Sequence, residues 1–245
     1  MKTANNIRIQ DKCQNCEIHK KNFFCSLPEA DLEQFQSIKV TKAYRPGALL
    51  FVEGQPAKSV YMLCQGRVKL STCSRSGKVM ILGIAEAGDV IGLSAAISES
   101  DYEMTAEVLE LCQVNYVETS DLLSFLEQRP LAAINAARQL GRSFQAAFDQ
   151  ICSIGMSDSA AEKLAKLFLG WTTSANGNGH VTNGRIQIKS LFTHEEIAEM
   201  IGSSRETVTR ALKQLRERDL ITLKGGNLII HDKQRLLAAV GRQRS

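Results

Sequence analysis

A chain of 245 residues, 44% hydrophobic and 23% charged, has the make-up of a globular protein with room for two modest domains. No run approaches the roughly 20 apolar residues that a membrane helix needs, and residues 1–11 lack the apolar core of a secretory signal, so a cytoplasmic protein without a membrane partner is expected. The net charge of +4 identifies nothing by itself, but residues 1–157 carry 16 Lys and Arg against 17 Asp and Glu, while residues 158–245 carry 14 against 9. The surplus positive charge lies at the C-terminal end, where a polyanion could use it.

Near the N-terminus, Cys13, Cys16 and Cys25 are spaced C-x2-C-x8-C, with Cys64, Cys73, Cys112 and Cys152 further on. An odd number of cysteines in a reduced compartment points away from a disulfide scaffold and toward metal binding or redox chemistry. Cys64, Cys73 and Cys152 read as small buried hydrophobes. A lone His19 near the first pair reads as solvated.

From Tyr44 to Val117 the chain breaks into short β-type runs, residues 48–52, 59–63, 67–71, 79–84 and 113–117, punctuated by glycines at turn spacing. That is the pattern of an antiparallel barrel or sandwich. After Pro130, Ile134, Ala137, Gly141, Phe144, Phe148 and Ile151 recur at alternating steps of three and four. This is the seam of a long helix that pairs with a second copy of itself, and Gly141 would let two backbones approach. A further helix is expected over residues 159–171, followed by a Ser, Asn and Gly-rich loop over residues 172–184.

Thr193 and Glu196 then have capping-box spacing, Ile197, Ala198 and Ile201 give a short helix an inward face, and Gly202 ends it. Ser203 and Glu206 repeat the capping signal, opening a helix whose Val208, Ala211, Leu212 and Leu215 form the next inward stripe. Two capped helices joined by a glycine turn are a helix-turn-helix. Its outward face presents Ser204, Arg205, Glu206, Thr209 and Arg210 at the end that meets base edges. Arg suits guanine and Glu suits cytosine, while Lys213, Arg216 and Arg218 suit phosphates. The plainer alternative is a solvated face held by an i,i+4 pair. A hairpin over residues 220–231, turning at Gly225-Gly226, follows like a wing. His194-Glu195 invites a zinc-protease reading, but the second histidine it requires is Ala198 here.

The run from Phe192-Thr193-His194-Glu195-Glu196 through Ser204-Arg205-Glu206-Thr207-Val208-Thr209-Arg210 closely resembles the DNA-binding motif of the catabolite activator and fumarate-nitrate regulator (Crp/Fnr) family, and the likeness spans residues 24–240. The resemblance implies an α+β chain in four parts: a cysteine-rich segment (1–25), a cyclic-nucleotide-binding-like β-roll (26–130), a dimerisation helix (131–157) and a winged helix-turn-helix (158–240). It implies a homodimer on double-stranded DNA, with RNA polymerase as a partner, in which Arg205, Glu206 and Arg210 read a TGTGA-like half-site repeated as a palindrome. Nucleotide-binding members carry a glutamate after the Gly-Asp turn, where Leu93 stands, and an Arg-Ser pair, where Tyr102-Glu103 stand. Cyclic AMP is therefore not expected as the effector. The cysteines resemble those of the oxygen-sensing branch, which implies an iron–sulfur cluster, of the 4Fe–4S type, on Cys13, Cys16, Cys25 and Cys112. Thiolates are the ligands such clusters need. Zinc, a thiol–disulfide pair or a structural role fit the same residues. Two other readings stay open: a small-molecule sensor rebuilt around Leu93 and Tyr102, and a cysteine-ligated redox or metal enzyme.

Overall fold

The computed structural model describes residues 3–4, 7–8, 24–173, 179–182, 185–189 and 192–240. The chain divides into two compact units, Met1–Ala146 and Ala147–Ser245.

The first unit opens with a short antiparallel pair, β1 (Thr3–Ala4) and β2 (Ile7–Arg8), and with α1 (Glu29–Ile38), whose acidic first turn suits its positive end. There follow β3 (Val40–Tyr44), β4 (Leu49–Phe51), β5 (Ser59–Gln65), β6 (Arg67–Cys73), β7 (Val79–Glu86), β8 (Val90–Ile91), α2 (Leu93–Ile97), β9 (Thr105–Val108) and β10 (Cys112–Glu118). They form two antiparallel sheets in the orders β3-β10-β5-β8 and β4-β9-β6-β7. Because strand side chains alternate, β5 serves two cores. Leu63 joins Phe51, Val68, Ala106 and Val114 in one core shared by both sheets, and Val60 and Met62 join α1 and α3 (Thr119–Gln128) in a second built on Phe35, Leu122 and Phe125.

All five expected strand runs are strands. Val40–Tyr44, Val90–Ile91 and Thr105–Val108 form strands as well; they are too short or too interrupted to show a period-2 pattern.

Pro130 begins α4 (Pro130–Gly155), where its missing N–H costs nothing. Ala132 and Ala136 enter the second core, whereas residues 141–149 are all exposed.

In the second unit, α5 (Ala160–Thr173) starts beside Ser159, whose hydroxyl accepts the Glu162 N–H at 3.2 Å. The remaining elements are β11 (Gly179–Thr182), β12 (Arg185–Lys189), α6 (His194–Ile201), α7 (Arg205–Glu217), β13 (Ile221–Lys224), β14 (Asn227–Ile230) and α8 (Lys233–Val240). The strands pair as β11-β12-β14-β13. Two expectations are corrected here. The loop over residues 172–184 contains strand Gly179–Thr182, because pairing with β12 supplies the hydrogen bonds that its composition did not advertise; residues 174–178 and 183–184 lie outside the described ones. Helix α7 is capped by Ser204 rather than Ser203: the Ser204 hydroxyl accepts the Thr207 N–H at 3.2 Å. The architecture is the α+β one expected, with a β-roll, a long helix and a winged helix-turn-helix.

Candidate nucleic-acid interface

Helices α6 and α7 are held at a fixed turn by local chemistry. Thr193 and Glu196 form the complete reciprocal capping box on α6. Gly202 takes φ 62°, the left-handed conformation that suits glycine, to end the helix. Behind them Ile197, Ala198 and Ile201 of α6, and Val208, Ala211, Leu212 and Leu215 of α7, are buried together with Leu164 and Phe168 of α5.

That packing fixes which face of α7 looks outward. Ser204, Arg205, Glu206, Thr209, Arg210 and Lys213 are all exposed. They do not behave alike. Ser204 is committed to the cap, and the Lys213 ammonium lies 3.7 Å from the Glu217 carboxylate. The Arg210 guanidinium donates to the Thr207 hydroxyl at 3.3 Å. The Glu206 carboxyl is held below the usual carboxylate range, first by its own backbone N–H and then by the Ser204 hydroxyl, with Arg205 and Arg210 adding to it. It is therefore a charged acceptor at neutral pH. Thr209 receives a contact that the sequence does not reveal: its Oγ1 is 3.0 Å from Nδ1 of His194, on the other helix. The wing is a tight β13–β14 hairpin turning at Gly225-Gly226. His231 ties it to the end of α7, with Nδ1 3.1 Å from the Asp219 carbonyl and Nε2 2.8 Å from the Thr222 hydroxyl.

In the β-roll, Leu93 and Tyr102 are both buried, and Glu103 is exposed. The Tyr102 ring stacks on Phe51 at 3.9 Å between centroids. Its hydroxyl donates to the Ser59 carbonyl at 2.6 Å and accepts the Ser59 N–H at 3.1 Å. Gly92 lies so close that a Cβ there would sit 3.0 Å from the Tyr102 ring. Tyr102 thus fills the space between Ser59 of β5 and Gly92, the residue after β8.

Of the four cysteines singled out as ligands, Cys13 and Cys16 lie outside the described residues, as does His19. Cys25 and Cys112 are buried. The Cys112 thiol donates to the Arg67 carbonyl at 3.4 Å, and burial pushes its pKa up to about 11. Among the described residues no group of three or more His, Cys, Asp or Glu is gathered as a metal site requires, so Cys25 and Cys112 do not by themselves make a cluster ligand set. Cys73 is exposed, not buried as expected, because it ends β6 beside the turn of the β6–β7 hairpin; Cys64 and Cys152 are half-buried.

On α4, Ile134, Ala137, Gly141, Phe144, Phe148 and Ile151 are all exposed, with Phe144 at 71% and Ile151 at 69%. No helix among the described residues is long and apolar enough to cross a membrane.

These features match known proteins. The profile of the cyclic nucleotide-binding domain covers residues 41–129, and that of the Crp-like helix-turn-helix domain covers residues 162–239. Together they span more than half of the chain. The chain belongs to the Crp/Fnr family of DNA-binding transcription regulators.

Its relatives include a CRP-like cAMP-activated global transcriptional regulator of Mycobacterium tuberculosis, 26% identical over 202 residues, covering 80% of this chain and 88% of that protein. The transcriptional activatory protein AadR of Rhodopseudomonas palustris is 27% identical over 225 residues, covering 91% of each. The fold is similar to that of FixK2 from Bradyrhizobium japonicum, with a TM-score of 0.71 at 23% identity, covering 82% of this chain and 96% of that one.

Proposed function

We propose that two copies of this chain pair along α4 and bind a palindromic DNA site with TGTGA-like half-sites, one through each α7. The observation that carries this reading is the exposed face of α7: Arg205, Glu206 and Arg210 stand free of the core while the opposite face is closed. Arg205 and Arg210 supply bidentate donors for guanine and Glu206 an acceptor for cytosine; Lys213 contacts phosphate. Ile134, Ala137, Gly141, Phe144, Phe148 and Ile151 form the seam. A two-fold dimer sets the half-sites about one turn of DNA apart. The protein works in the cytoplasm with RNA polymerase as its partner at promoters. The test is fluorescence anisotropy with a TGTGA palindrome and a scrambled duplex across a salt series. Tighter binding to the palindrome at every salt concentration supports the reading; equal binding to both, falling steeply with salt, would reduce α7 to a phosphate-binding surface.

The β-roll takes no cyclic AMP, although several relatives are named for activation by it. Buried Tyr102, doubly hydrogen-bonded to Ser59, occupies space inside the roll, and no cation stands at Tyr102-Glu103 to neutralise a phosphate. The signal is oxygen or redox state, sensed by an iron–sulfur cluster on Cys13, Cys16, Cys25 and Cys112. What supports this is the C-x2-C-x8-C spacing and the fourth cysteine on a late strand of the roll. Protein prepared without oxygen tests it by visible absorbance, iron and sulfide content. A brown chromophore that bleaches in air and is lost on Cys13→Ser supports the cluster; colourless, iron-free protein after reconstitution discards it and leaves zinc or thiols as the signal.

A further inference from the structure

The sheet β3-β10-β5-β8 has a different core on each face. Leu63 of β5 and Val114 of β10 belong to the core between the two sheets, whereas Met62 of β5 and Val117 of β10 belong to the core built on α1 and α3. Cys112 is a member of the inter-sheet core. Its thiol bonds the Arg67 carbonyl at 3.4 Å and lies so near Gly66 that a Cβ there would stand 2.5 Å from the sulfur. Phe24 and Leu27, which flank Cys25 in the chain, pack into the helical core on the other face.

A single cluster needs its thiolates gathered around one point. Strand β10 could turn Cys112 toward the face of Cys25 by slipping one residue, but the same slip would carry Val114 out of its core. The packing holds Cys112 where it is.

Cys64 stands differently. It follows Leu63, so the pleat turns it away from the inter-sheet core, and it lies two residues along β5 from Met62, which shares the helical core with Phe24 and Leu27. The ladder to β10 passes from Leu63–Val114 to Gln65–Gln113, making Cys64 the extra residue of a bulge, a device that re-aims a side chain. Its thiol is half-buried, and its contact to the Met62 carbonyl, at 3.8 Å, is of the weak kind that sulfur makes. Cys73 is placed less well: it ends β6 about 20 Å along the strand from Arg67, with its N–H on the Glu53 carboxylate at 3.1 Å.

We propose that Cys64, rather than Cys112, is the β-roll's thiolate ligand to the iron–sulfur cluster. This rests on the cluster reading above and exchanges one of its four ligands.

The experiment reconstitutes the full-length wild type, Cys64→Ser and Cys112→Ala with ferrous iron and sulfide without oxygen, and reads visible absorbance, iron and sulfide, with circular dichroism to verify the fold. Cys64→Ser should lose the brown chromophore, and Cys112→Ala should keep it. Alkylation with mass spectrometry gives a second readout on the wild type alone: Cys64 should be labelled in metal-free protein and protected after reconstitution. A Cys64→Ser variant that keeps the full iron and sulfide content, a folded Cys112→Ala variant that loses the chromophore, or equal labelling of Cys64 with and without iron would overturn the proposal. Wild type that takes up no iron would instead sink the cluster reading beneath it.

Discussion

Arg205 and Glu206 differ in what the protein has already done with them. Glu206 is fixed as an anion by donors at the start of α7. Since its pKa is lowered on folding, its support of the helix is present above the ordinary carboxylate value and fades as pH falls through the lowered one. Its role as an acceptor therefore survives mild acid. The Arg205 guanidinium is exposed beside the Glu206 carboxylate, whose charged form it favours. Arg205→Ala should cost about 1 to 3 kcal/mol of specific binding and relax selectivity at one base pair, measured by anisotropy on single-substituted palindromes; a uniform loss on every sequence would make it a phosphate contact. At the same scale, exposure separates the thiols. In metal-free protein, alkylation followed by mass spectrometry should label exposed Cys73 well before Cys112, which is fully buried behind a bond to Arg67.

Among elements, the β-roll shows how one side chain closes a chamber. Tyr102 precedes β9, packs on Phe51 of β4 and bonds both backbone polar groups of Ser59 on β5, so it links one strand of each sheet. Tyr102→Ala should destabilise the first unit by about 3 kcal/mol, since a cavity replaces a buried aromatic ring. Tyr102→Phe should cost about 1 kcal/mol, leaving the Ser59 groups unpaired. Chemical denaturation of both variants checks this, and a Phe variant as unstable as the Ala one would mean that the hydroxyl, not the ring, holds the strands.

For the whole molecule, the proposed seam on α4 and the proposed reading face on α7 are two halves of one proposal. A palindrome needs two copies, and a row of exposed Ile and Phe on a helix is an apolar surface that water penalises until a second copy covers it. Replacing Phe144 and Phe148 together by Glu should weaken dimerisation at least roughly thirtyfold, the worth of one central interface anchor, as read by sedimentation velocity. Palindrome affinity should fall with it, while binding to a single half-site persists. A double variant that sediments as wild type would place the dimer surface elsewhere.

Periodicity and capping are local properties, so the sequence alone determined the apolar stripe on α4, five of the β-roll's strand runs, the helix-turn-helix and the wing. It erred where neighbours in space decide. Cap choice between Ser203 and Ser204 depended on which hydroxyl reached an N–H, and Gly179–Thr182 became a strand because β12 offered it an edge. Cys73 stood exposed because of where its hairpin ends. The sequence placed Leu93 and Tyr102 where nucleotide contacts would be, but only the packed β-roll put the Tyr102 ring on Phe51 and its hydroxyl on Ser59. Nothing in the spacing of His194 and Thr209, fifteen residues apart, foretold their contact. It exists because the buried stripes of two helices, each legible alone, fix the angle at which their outward faces meet.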